Sequence, residues 1–336
     1  MPKSECPSTA SYDLQARRFL TVDLHCDAIY EHAKGAKDIT QRTNIGHLDI
    51  PRMKEGGITA QVFAVWTNPE TFKPSERAPF VHKAMDAFED ICRTVPKEIG
   101  PARTPDEMIA LVESGRIAGI LGIEGGHALE GCLDNIEVFQ KRGVRIITLT
   151  WNNANEFADS CMEDTGRGLT QLGVRAVALM NRLGIIVDLS HSAPSTFFDA
   201  LETSTAPVIC SHSACRALCD HRRNLTNDQL KALAQARGLI GIVFLPAFLR
   251  PEPEPTSLAD VLNHIQHAVE VAGVDSVALG SDFDGFGQGP VGLEDASRMP
   301  ALAAGLRSRG FPEPDIRKIL GENFLRVWRE VEARKH

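Results

Sequence analysis

No apolar run in this chain is long enough to cross a bilayer. The longest, Gly238 to Leu249, is interrupted by Pro246, and a membrane helix needs about 20 apolar residues. The N-terminal MPKSECPSTASYDLQARR has neither an apolar core segment nor a small-residue cleavage site, so no secretory signal is expected. The C-terminal VEARKH lacks the hydrophobic tail of a lipid-anchor signal. Basic clusters are missing too. With 36 Lys and Arg against 44 Asp and Glu, the net charge is −8, which argues against nucleic acid or an anionic membrane as partner. The eight cysteines match no zinc-finger spacing, even in the tightest group of Cys210, Cys215 and Cys219. Without an export signal they are expected as reduced thiols, and a cytoplasmic location is the simplest expectation. Internal repeats and low-complexity segments are absent.

What is present is the composition of an ordinary globular protein, 43% hydrophobic and 24% charged over 336 residues. Eight strand-like runs stand out: Phe19–Asp27, Ile58–Trp66, Ile117–Glu124, Val144–Trp151, Gly184–His191, Pro207–His212, Leu239–Pro246 and Val274–Asp282. Each is nearly continuous in apolar residues, the pattern of strands buried on both faces. Helical periodicity fills the intervals, at Pro79–Val95, Leu169–Leu183, Ala193–Leu201, Thr226–Arg237 and Leu258–Ala272, with Asp315–Arg334 closing the chain. Thr104 followed by Glu107 reads as a capping box for a helix running to Gly115. Eight strands alternating with helices predict an α/β fold, a (β/α)8 barrel of TIM type with a C-terminal helix, as one domain over residues 1–336. No glycine fingerprint follows the first run, which disfavours a doubly wound open sheet. The acidic, proline-rich Arg250–Pro255 reads as a loop.

The reactive residues cluster at the ends of these runs: His25 and Asp27 in VDLHCDA, Glu124 in GIEGGHA, His191 in VDLSHS, His212 in CSHSAC and Asp282 in GSDFDG. Residues at i and i+2 on a strand share a face, so His25 and Asp27 can grip one cation while Cys26 faces the helical shell. His191 and His212 end neighbouring runs, and two imidazoles with a shared carboxylate suit Zn²⁺. Glu124 lies between the two groups in strand order. A carboxylate there can bridge two metals about 3.5–4 Å apart. Asp282 and Asp284 share a face, so spacing alone leaves open which of them moves a proton. His264 and His267, three apart on an outer helix, read as surface residues. His127 reads as a turn residue or a support for Glu124.

In this order and at these intervals, VDLHCD, EGGHALEG, VDLSHS, SHSACRALCDHRRN, GSDFDGF and GENFLRVW resemble the renal or membrane dipeptidase family of zinc peptidases, part of the amidohydrolase superfamily. The resemblance implies a (β/α)8 barrel with two zinc ions, His25 and Asp27 holding one, His191 and His212 the other, and Glu124 bridging. It implies that Asp282 is the active-site aspartate and Asp284 secondary. It also implies that Arg223, rather than Arg222, binds substrate, for which a guanidinium fork suits a terminal carboxylate. Dipeptides, tolerance of a D-residue at the C-terminal position, β-lactam amides and a homodimer are further implications.

One position departs from the family. A histidine commonly ends the fourth run there, whereas LTWNNAN places Trp151 at that point. Indole keeps one N–H donor but cannot carry positive charge. Trp151 donates to the oxyanion, or lines a pocket, or leaves the donor role to Asn152 or Asn155. Losing such a donor costs about 10²–10³ in rate. Metal-dependent hydrolysis of another small amide, such as an N-acyl amino acid, is therefore carried beside dipeptide hydrolysis. A metal-binding barrel without catalysis is the non-enzyme alternative. The same run contains no lysine, so readings built on a carboxylated-lysine bridge fit poorly.

Overall fold

A computed structural model describes residues 20–251 and 255–336. Nine strands form: β1 (Val22–Cys26), β2 (Ala60–Trp66), β3 (Ile99–Pro101), β4 (Ile117–Glu124), β5 (Val144–Thr148), β6 (Ile186–Asp188), β7 (Ile209–Ser213), β8 (Leu239–Ile242) and β9 (Val277–Leu279). All their pairings are parallel, and β2 pairs with both β1 and β4. Eight strands thus close a circuit, β1-β2-β4-β5-β6-β7-β8-β9, and the expected (β/α)8 barrel is what the chain adopts. The first expected run begins at Phe19, outside the described residues, as is the middle of the Arg250–Pro255 loop.

The short strand β3 was not legible in the sequence. It pairs with Ile117–Gly119 of β4, on the edge that β5 occupies from Leu121 onward. Three residues ending in proline carry too little pattern to announce a strand.

Register explains the core. Ala60, Val62 and Trp66 of β2 lie beside Ala118, Ile120 and Glu124 of β4. Ala60, Val62, Ala118 and Ile120 join Ile146, Ile186, Ile209, Leu239 and Ala278 in one interior cluster. Phe324 and Trp328 of the last helix are fully buried in the same cluster and plug the N-terminal end of the barrel. The alternate residues, among them Phe63, Ile123 and Ile240, pack outward against the helical shell. Apolar burial on both faces of the strands, with the N-terminal end plugged, leaves the C-terminal mouth as the place for polar side chains.

Most expected helices form with small shifts, for example Pro74–Thr94, Gln171–Leu183 and Leu258–Ala272. Three expectations change. Thr104 does cap the helix Pro105–Glu113, but the Glu107 carboxylate takes the amide of Arg103, so the box is not reciprocal. The closing helix is split into Glu313–Arg317, a π-turn at Lys318–Glu322 and Asn323–Glu332. A side chain at Gly321 in that turn would strike the Leu20 carbonyl, so the helix approaches β1 closely there. His264 is buried, not on the surface: its Nδ1 accepts from the Cys215 amide at 3.0 Å and its Nε2 donates to the Leu249 carbonyl at 2.8 Å. His267 does face outward, toward Asn227. The seven described cysteines are free. No helix among the described residues is long and apolar enough to cross a membrane.

Candidate metal centre

Glu124 ends β4, His25 lies in β1 and His212 in β7. His191 and Asp282 lie past the ends of β6 and β9, in turns with left-handed backbone (φ 68° and 64°), and Asp284 follows at φ 72°. Non-glycine residues at positive φ are uncommon and concentrate at functional sites. The β1 register on β2 shifts between Asp23 and Cys26. Simple alternation is therefore not what joins His25 to Asp27. Asp27 stands at the N-cap of the helix Ala28–Lys34, and its Oδ1 still comes within 3.9 Å of His25 Nε2. A side chain at Gly285 would run into both the Asp27 and Asp282 carboxylates.

These residues converge on Glu124. Its Oε1 lies 2.9 Å from His191 Nε2 and 3.3 Å from His212 Nε2, and the two imidazole nitrogens are 3.0 Å apart. Its Oε2 lies 3.8 Å from His25 Nε2, which is also 3.8 Å from Asp282 Oδ1. The far side of each ring fixes its tautomer. His191 Nδ1 meets Asn152 Oδ1 at 3.0 Å, an acceptor only, so Nδ1 carries the proton. His212 Nδ1 meets Ser211 Oγ at 2.8 Å, and that hydroxyl donates to Asp188 Oδ2 at 2.6 Å. Both Nε2 lone pairs therefore point at a carboxylate oxygen and at each other. His25 Nε2 and Asp27 Oδ1 are buried without a hydrogen-bond partner. A cation between them would satisfy both atoms, and neutral imidazole with carboxylate oxygen is a donor set that fits zinc. His25, Glu124 and His212 form one candidate metal triad and His25, Asp27 and Asp282 another.

Electrostatics agree. Burial pushes the Asp27 and Asp282 carboxyls well above the usual range, and the neighbouring Glu124 charge pushes them further. Burial would raise Glu124 too, but His25 and His191 hold it below its ordinary value. Burial drives His191 and His212 well below the usual imidazole range, keeping both neutral and able to ligate.

Geometry sets apart the members of the two pairs that spacing left together. Asp284 is engaged elsewhere: Lys37 Nζ lies 2.5 Å from its Oδ2 and His47 bonds it twice, through its amide to Oδ1 and by Nδ1 accepting from the Asp284 amide. Burial alone would raise Asp284, yet His47 and Lys37 hold it below its ordinary value. Asp282 instead faces His25. Arg222 is exposed whereas Arg223 is buried, with Nη2 donating to the His212 carbonyl at 3.2 Å and its guanidinium 5.4 Å from the Phe248 ring centre. Asn152 is turned to His191, and Asn155 is spent on the Leu149 carbonyl and the Phe157 amide. His127 is buried in the turn after Glu124, with Nε2 donating to the Ala154 carbonyl.

A cavity of ≈ 220 Å³ covers the cluster. Asp27, Glu124, His191, His212, Arg223 and Asp282 line it together with Tyr30, Trp66, Trp151 and Phe248. Tyr30, Trp66 and Phe248 were not singled out in the sequence. Trp66 carried the available signal, because it ends a strand run as Glu124 does.

The chain matches the model of the membrane dipeptidase family, peptidase family M19, over residues 12–336. Among curated proteins it is 35% identical over 297 residues to dipeptidase tcpJ of Claviceps purpurea, covering 85% of this chain and 70% of that protein. It is 36% identical over 301 residues to the uncharacterised dipeptidase C965.12 of Schizosaccharomyces pombe, covering 85% and 72%. Among solved structures it superposes at a TM-score of 0.88, with 30% identity over 93% of this chain and 99% of the other, on a Rhodobacter sphaeroides metallopeptidase liganded with a phosphinate mimic of the dipeptide L-Ala-D-Ala. The convergent cluster at the barrel mouth is thus set in a chain that belongs to the membrane dipeptidase family, the metallo-dipeptidases of peptidase family M19.

Proposed function

We propose that this chain is a binuclear zinc dipeptidase that cleaves the peptide bond of dipeptides, including those ending in a D-residue. The observation that carries this reading is the meeting of His191 Nε2, His212 Nε2 and Glu124 Oε1 within 3.3 Å of one another, beside the unpartnered His25 Nε2 and Asp27 Oδ1. His25 and Asp27 would hold one zinc, His191 and His212 the other, with Glu124 between. When bound, such a pair acidifies a water and polarises the scissile carbonyl. Asp282 accepts the proton of the attacking water and returns it to the departing amine. Its buried position, which favours the protonated carboxyl, suits that exchange. Arg223, fixed by the His212 carbonyl and by Phe248, takes the terminal carboxylate of the substrate. The small cavity over the cluster, ≈ 220 Å³, is in keeping with a small ligand. The dipeptide mimic bound by the Rhodobacter sphaeroides relative supports the same substrate class.

Trp151 favours a second reading, hydrolysis of another small amide such as an N-acyl amino acid, because no imidazole stands at that point. A panel of L,D- and L,L-dipeptides beside N-acyl amino acids, with and without chelator, separates the two. Chelator-sensitive cleavage of dipeptides is expected. Cleavage of N-acyl amino acids alone would select the second reading.

A further inference from the structure

Three aromatic side chains form a wall on one side of the cavity. Trp66 closes β2, Trp151 follows β5, and Tyr30 lies on the helix Ala28–Lys34. The ring centres of Tyr30 and Trp66 are 5.2 Å apart, and those of Trp66 and Trp151 are 4.9 Å apart. Gly125 makes room for this wall: at φ 87° it has no side chain, and a Cβ there would come within 3.3 Å of the Trp151 Cβ. The Trp66 indole N–H is buried and has no acceptor, so one donor of the wall is unused by the protein itself.

Position in the barrel gives the wall its meaning. β2 and β5 are the two neighbours of β4, so Trp66 and Trp151 flank Glu124. In a circuit of eight strands β4 lies across from β8. Arg223 and Phe248 follow β7 and β8, on that opposite side. A dipeptide whose carboxylate rests on Arg223 and whose peptide bond lies over Glu124 directs its N-terminal residue at Trp66 and Trp151.

We propose that Trp66 and Trp151 form the pocket for the N-terminal side chain, and that they select dipeptides whose N-terminal residue is large and apolar or aromatic. This rests on the dipeptidase reading for its orientation of the substrate. Indole faces gain contact area from an apolar or flat side chain and give nothing to glycine, and neither indole offers a positive charge to an acidic one.

The test is the zinc-loaded full-length enzyme acting on Gly-, Ala-, Leu-, Phe- and Asp-D-Ala, with Trp151→Ala and Trp151→Phe beside the wild type. The wild type should favour Phe over Gly by about tenfold or more in kcat/KM, most of it in KM. Trp151→Ala should narrow that ratio to about threefold or less, whereas Trp151→Phe should keep most of it. Equal kcat/KM across the series, or an undiminished Phe preference in Trp151→Ala, overturns the proposal. Trp66→Leu serves the same comparison if Trp151→Ala does not fold. If no dipeptide is cleaved, the dipeptidase reading fails, and tryptophan fluorescence still decides the pocket. Quenching by Phe-D-Ala at about tenfold lower concentration than by Gly-D-Ala supports it, and equal concentrations overturn it.

Discussion

Asn152 accepts the Nδ1 proton of His191 at 3.0 Å, and this contact decides which ring nitrogen faces Glu124. Asn152, expected to touch substrate, lines the cavity and also positions a candidate ligand. Removing it frees the ring to rotate and to exchange tautomers. Asn152→Ala should lower zinc affinity by about 10–100-fold with little change in thermal stability of the metal-free protein. Competition against a chromogenic chelator measures this, and unchanged affinity would refute the role.

Asp188 plays the corresponding part behind His212, but more deeply. It is fully buried and accepts from Thr148 Oγ1, Ser211 Oγ, and the amides of Ser190 and Ser211. Asp188→Ala leaves those donors without an acceptor inside the barrel. A loss of about 2–4 kcal/mol in unfolding free energy is expected from urea denaturation, along with weaker zinc binding.

Lys37 and Asp284 form a buried pair whose side chains are 1% and 2% exposed. Because the folded Asp284 pKa is depressed, its contribution to stability is present above the unfolded carboxylate value and is lost as pH falls through the folded one. Lys37→Met should remove the lysine's share of that contribution, the His47 amide bond remaining, at a cost of up to about 3–5 kcal/mol near neutral pH. Thermal melts from pH 3 to 7 should show the variant's deficit shrinking toward acid. A deficit that does not vary with pH would be inconsistent with a charged pair.

Metal binding should release protons, and the sign follows from the carboxylates. Asp27 and Asp282 are raised in the metal-free site, so they keep protons at pH values where free carboxylates have lost them. His191 and His212 are depressed and have none to give near neutrality. Zinc affinity should therefore rise with pH, and calorimetry in buffers of differing ionisation enthalpy should detect proton release on binding. Proton uptake would contradict the arrangement.

The barrel was legible because strands buried on both faces read as continuous apolar runs, and because Glu124 ends its strand as expected and His212 stands one residue before the end of its own. Other runs overshot. Gly184–His191 shrinks to Ile186–Asp188, since His191 sits in a left-handed turn where ladder bonding has stopped. No pattern of residue types announces that turn. Spacing could not separate Asp282 from Asp284, because the partners that engage Asp284, Lys37 and His47, lie far away in sequence. His264 misled for the same reason: its helical spacing fits a surface, while its partners Cys215 and Leu249 lie on other elements.

The most direct measurement is the zinc content of the purified chain and of Glu124→Gln after zinc loading, by elemental analysis. Two zinc ions per wild-type chain, with most lost in Glu124→Gln, are the predicted result. A folded wild-type chain that takes up no divalent ion would contradict the account.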